Sequence, residues 1–97
     1  MNDYLKRQGQ RIKRARRFKL LTQSQLADKL SAELGEDFGG DNKVSRIESG
    51  KQDVTSRELY ALSMVLEQPT TWLQGVEDEG FSTGAMGVYL SSLAVAA

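Results

Sequence analysis

Two helix starts are written into this chain as capping boxes, and they leave little room for any fold but a helical one. Thr22 stands three residues before Gln25, and Thr55 three before Glu58, the spacing at which side chains satisfy each other's backbone N–H groups. After the first box, Leu26, Ala27, Leu30 and Leu34 repeat at helical spacing, which predicts a helix over 23–34. After the second, Leu59, Leu62, Val65 and Leu66 do the same. Asp3 reads as the cap of an earlier helix running through Lys19, with Leu5, Ile12, Ala15 and the stem of Lys19 inward. Asp41 reads as the cap of a short third helix with Val44 and Ile47 inward, stopped at Ser49-Gly50-Lys51, where Gly50 suits a left-handed position. Pro69 fits the first turn of a fifth, very short helix that holds Trp72 and Leu73 and ends at Gly75. Residues 35–40 form a breaker-rich turn with Phe38 as its lone aromatic. No strand pattern of useful length precedes residue 76, so the expected class is all-α.

Composition narrows the chemistry. Ninety-seven residues, 39% of them apolar, suffice for one small core and not for two. With no Cys and no His, there is no disulfide framework, zinc finger, thiolate nucleophile or imidazole base, which removes Ser–His–Asp and Cys–His enzymes. The acidic groups at Glu36/Asp37 and Glu77/Asp78/Glu79 have neither metal-loop spacing nor the pairing of an acid–base couple. The expectation is a non-enzyme without cofactor, metal or evident small-molecule ligand. No apolar run reaches membrane-span length and the basic start lacks a signal's apolar stretch, so a cytoplasmic, single-domain protein is expected.

The formal net charge of zero hides a steep asymmetry. Residues 1–19 hold eight cations (Lys6, Arg7, Arg11, Lys13, Arg14, Arg16, Arg17, Lys19) against Asp3 alone, residues 20–75 are net acidic, and 76–97 carry only Glu77, Asp78 and Glu79. One end of the molecule is thus a cationic rod, a footprint for polyanions; the competing reading is a solvated helix face paired with the acidic middle.

The residues then become familiar. Gly9-Gln-Arg-Ile-Lys-Arg-Ala-Arg16, Leu21-Thr-Gln-Ser-Gln-Leu-Ala27 and Val44-Ser-Arg-Ile-Glu-Ser-Gly-Lys51, followed by Leu59-Tyr-Ala-Leu62 and Trp72-Leu-Gln-Gly75, resemble the Cro/CI-repressor-like (XRE-type) helix-turn-helix family over residues 9–75. The resemblance implies a five-helix, lambda-repressor-like domain whose third helix enters the major groove of double-stranded DNA. It places Asp41, Asn42, Lys43 and Arg46 nearest the base edges: Asn42 against adenine, Lys43 or Arg46 against guanine, and Asp41 either accepting from cytosine or serving only as the helix cap. It implies phosphate contacts for Gln23, Ser45, Ser49 and Lys51 (for the last two the competing reading is merely a polar helix end), and a salt bridge between Arg16 and Glu48 that fixes the recognition helix. Arg11, Lys13, Arg14 and Arg17 remain for the duplex or for solvent; they cannot all point one way, so two or three are expected to reach phosphate, with Arg11 and Arg14 the candidates. Homodimerisation on a palindromic operator follows from the family's symmetry. A protein-partner module (an antitoxin or anti-repressor) is the alternative, kept alive by Asp41 and the acidic tail.

The chain departs from the family pattern in three places. The turn between the second and third helices is several residues too long, and Phe38 is expected to plug it, buried. Leu20 and Glu67 stand where glycine is usual, so the first helix is expected to end less sharply. Residues 76–97 read as an acidic linker and a short apolar segment (Met86, Tyr89, Leu90, Leu93), helical or an edge strand, serving as a dimerisation element, a tail or a protease-recognised end. Phe18 lies off the apolar stripe, either a packing site for the C-terminal segment or another subunit, or simply exposed.

Overall fold

The fold follows from where each apolar stripe can find cover. The computed structural model describes residues 3–76 and contains five helices: α1 (Asp3–Phe18), α2 (Gln23–Leu34), α3 (Gly40–Glu48), α4 (Ser56–Leu66) and α5 (Thr70–Leu73). No strand occurs among the described residues. The domain is all-α, and none of its helices is long and apolar enough to cross a membrane. The readings made for residues 77–97 lie outside the described residues.

Both capping boxes form. Thr22 accepts from the Gln25 N–H while the Gln25 side chain accepts from the Thr22 N–H, and Thr55 and Glu58 exchange the same pair. The core joins Ile12 and Ala15 of α1, Leu26, Ala27 and Leu30 of α2, Val44 and Ile47 of α3, Leu59, Leu62 and Leu66 of α4, and Trp72 and Leu73 of α5. Each large aliphatic among them contributes about 1.5–3 kcal/mol by leaving water. Leu34 and Val65 pack partly buried against this core, and Leu5 is likewise half-buried.

Three boundaries differ from the sequence reading. Asp3 stands in the first turn of α1, which ends at Phe18. Asp41 does not cap α3: the cap is Gly39, without a side-chain hydrogen bond, and Asp41 lies one residue inside the helix. The reason is the glycine pair. Gly39 and Gly40 both take positive φ (125° and 76°), so the chain can turn into the helix earlier than a side-chain cap would require. Pro69 precedes α5 as its cap and is not part of its first turn.

The long turn is filled as expected. Phe38 is 3% exposed, its N–H donates to the Ser31 hydroxyl at 2.9 Å, and Arg57 of α4 donates to the Leu34 carbonyl at 2.8 Å. The first helix ends more sharply than expected. Leu20 adopts φ 59°, and the Leu20 and Leu21 N–H groups bond back to Arg17 and Arg16 carbonyls, a Schellman closure without glycine. Phe18 is half-exposed.

One glycine fixes the crossing of α1 and α3. A Cβ on Gly9 would press into the Ile47 carbonyl oxygen and lie 2.6 Å from that of Glu48. Only glycine lets the middle of α1 run directly against the end of α3, which sets the angle at which α3 is presented.

Candidate nucleic-acid interface

The third helix divides cleanly by face. Val44, Ile47 and Glu48 are buried, while Asn42, Ser45, Arg46 and Ser49 are exposed. Those four stand at i, i+3, i+4 and i+7, so they form one polar stripe along the outside of the helix. Asp41 is exposed beside Asn42 in the first turn.

A buried polar knot holds this stripe in place. Arg16 Nε donates to Glu48 Oε2 at 2.6 Å and Arg16 Nη2 to Glu48 Oε1 at 3.0 Å, a two-point pair in which both residues are under a tenth exposed. Arg16 Nη1 also donates to the Leu21 carbonyl at 2.7 Å, and Gln23 Nε2 donates to Glu48 Oε1 at 3.1 Å. One carboxylate therefore ties α1, the first residue of α2 and the end of α3 together. Gln23 uses one amide hydrogen on Glu48, which leaves the other for a ligand at the start of α2.

Lys43 faces away from the stripe. Its ammonium meets Glu58 Oε2 at 2.5 Å and lies 4.4 Å from the centre of the Phe38 ring, and its stem covers Gly39. The residue grouped with the base readers is thus a clasp between α3, the long turn and α4. Burial pushes the Glu58 carboxyl up, but the Lys43 hydrogen bond and charge and the Thr55 N–H outweigh it, so its pKa lies below the usual glutamate value.

Arg46 remains on the surface. Its Nε donates to Gln52 Oε1 at 2.8 Å, and its carbonyl receives both the Lys51 N–H at 2.9 Å and the Ser49 hydroxyl at 3.1 Å. With Gly50 N–H bonded to Ile47 and Gly50 at φ 79°, the end of α3 is a Schellman turn that folds Lys51 and Gln52 back beside Arg46.

The first-helix cations divide by side. Arg11 donates to the Trp72 carbonyl at 2.8 Å and lies over the Trp72 ring at 5.0 Å, so it is directed to α5. Arg7 lies over Gly75, also at α5, and Lys19 pairs with Glu67 at the end of α4. Lys6, Lys13 and Arg17 stand three before, four after and eight after Gly9, and so share the side of α1 that faces α3; all three are exposed. Lys6 is close enough for its Cα to sit 3.0 Å from a Cβ built on Gly50. Arg14, although exposed, stands two residues short of Arg16 and so points to a different side of α1. Of the first-helix cations, Lys6 lies beside the end of α3 and Arg11 is taken up by α5. Sequence reasoning passed over Lys6 and Gln52. The signal for Lys6 was present in its three-residue offset from Gly9; the signal for Gln52 was not, because it depends on the turn after α3.

The resulting surface has an exposed polar edge on α3, with Lys51 following it and Lys6 beside its end. Set against family models, curated proteins and solved structures, the chain matches none of them.

Proposed function

We propose that this chain is a sequence-specific regulator that binds double-stranded DNA, a cytoplasmic helix-turn-helix repressor acting as a homodimer. The observation that carries the reading is the exposed stripe Asn42–Ser45–Arg46–Ser49 on a helix whose opposite face is buried and whose angle is fixed by the Arg16–Glu48 pair. An α-helix fits the major groove, and this stripe offers it an amide and a guanidinium, the groups that read adenine and guanine edges. In this reading Asn42 and Arg46 contact bases, Asp41 accepts from a cytosine amino group, and Ser45, Ser49, Lys51 and Gln23 hold phosphates. Two copies would place their third helices in successive major grooves about 34 Å apart and exclude polymerase.

Selection from a randomised duplex library with the purified chain is the test. An enriched palindrome supports the reading, and Arg46→Ala should then cost about 1–3 kcal/mol at one base position while leaving the others as they were. A uniform loss at every position would make Arg46 a backbone contact instead. One observation favours a second reading: Asp41 is an exposed carboxylate at the reading edge, where it repels phosphate. A module that binds a protein through the same stripe would enrich no duplex and would pass through a random-sequence DNA column at low salt.

A further inference from the structure

Arginine recognises guanine through two N–H groups aimed at O6 and N7, and it can offer either its end, through both Nη atoms, or its side, through Nε and one Nη. A flexible exposed arginine samples both. In this structure the choice is already made. Arg46 Nε donates to Gln52 Oε1 at 2.8 Å, so the side of the guanidinium is occupied and the two Nη atoms form its outward edge.

The contact is built by the backbone. The Schellman turn at Ser49-Gly50 reverses the chain, and the Lys51 N–H to Arg46 carbonyl bond brings residue 52 alongside residue 46. Glycine suits that reversal: Gly50 has φ 79°, and a Cβ there would crowd the Lys6 backbone at 3.0–3.1 Å. Chemistry also orients the amide. An arginine Nε is a donor only, so the glutamine must present its oxygen, and its NH2 group then points away from Arg46.

We infer that Gln52 is a positioning residue: it fixes Arg46 in the end-on geometry that reads a guanine in two-point fashion. This inference rests on the DNA-binding reading above and names the base that the site selects. Gln52 acts through Arg46, so its contribution exists only where both Arg46 and the guanine acceptors are present.

The test uses the full chain and the duplex that it enriches from a randomised library. Affinities are measured for wild type, Gln52→Ala, Gln52→Glu, Arg46→Ala and the double alanine variant, on that duplex and on one carrying 7-deazaguanine, which lacks N7, at the position where Arg46→Ala acts. Gln52→Ala should weaken binding to the parent duplex about fivefold, the scale of one hydrogen-bonded pair. It should have no further effect in the Arg46→Ala background or on the 7-deaza duplex. Gln52→Glu, whose carboxylate still accepts from Nε, should restore the preference for guanine over the other bases at that position. Unfolding midpoints of all variants should agree with wild type, because residue 52 is not in the core. If Gln52→Ala loses the same factor with or without Arg46, or on both duplexes, Gln52 is an independent contact and the inference is overturned. If Arg46→Ala acts at no guanine, it is overturned as well. A library that enriches nothing overturns the DNA reading itself, an outcome distinct from these.

Discussion

Glu48 shows how one side chain can decide the posture of a helix. Its two oxygens receive three hydrogen bonds, two from Arg16 and one from Gln23, in a site that solvent barely reaches. A pair of this kind adds little net stability relative to an apolar replacement, yet removing one partner strands a buried charge. Glu48→Ala should therefore lower stability by about 3–5 kcal/mol, read as the shift in a urea unfolding midpoint. Glu36→Ala removes a carboxylate that meets Arg57 at 3.4 Å in open solvent, and should cost under about 0.5 kcal/mol. Equal shifts would show that the buried pair has no special role. This pair was legible only through the resemblance, because Arg16 and Glu48 fall on two matching positions of the motif. The role of Lys43 was not legible in the same way. Whether it turns outward to a base or back to Glu58 depends on the path of residues 35–39, and a turn rich in glycine sets no direction that a sequence pattern can reveal.

At the scale of elements, the two helix starts written as threonine boxes were readable, whereas the start of α3 at its glycine pair and the left-handed ends at Leu20 and Glu67 were not. Threonine boxes are local chemistry, whereas an end depends on which residue the next stretch of chain can force into the left-handed region. Leu20 and Glu67 both accept that strain, at φ 59° and 56°, because the chain must turn sharply to bring α2 onto α3 and α5 onto α1. A non-glycine residue there costs on the order of 1–2 kcal/mol, part of which glycine gives back through its freer unfolded chain. Leu20 is 88% exposed and packs on little, so Leu20→Gly should raise stability by about 0.5–1 kcal/mol in the same unfolding assay. An unchanged or lower midpoint would show that the leucine side chain contributes what its backbone loses. The clasp between α3 and α4 makes a separate, pH-dependent contribution. Glu58 has a folded pKa below its unfolded value of about 4.5, with the Lys43 bond and the Thr55 N–H overcoming the cost of burial. Its share of stability is thus fully present above the unfolded pKa and disappears as pH falls through the folded one. Glu58→Gln keeps the capping box but loses the charge, so it should be less stable than wild type at pH 7 and should approach it as pH falls through the folded pKa of Glu58. Parallel curves over that range would remove Lys43–Glu58 as the source of the difference.

For the whole molecule the question is which cations a polyanion would meet, since net charge offers no guide. The basic first helix does not act as a single rod. Arg11, Arg16 and Lys19 are committed to α5, α3 and α4, and together they anchor the helix at both its middle and its end. What lies on the α3 side is Lys6, Lys13 and Arg17, joined by Lys51 from the turn after α3. In the proposed complex only charged contacts would release counterions, so Gln23, Ser45 and Ser49 would add register without adding salt dependence. If about three of those cations per protomer neutralise phosphates, the log–log slope of affinity against salt should be about −3 for one protomer and −5 for a dimer. Lys51→Ala should make the slope shallower by about 0.9 per protomer. Arg11→Ala should leave the slope as it was and lower the unfolding midpoint, because its guanidinium lies on Trp72 and not on the stripe. A slope that responds to Arg11 as it does to Lys51 would mean that the duplex is met by the α5 side of the first helix, and that the third helix is not the element facing it.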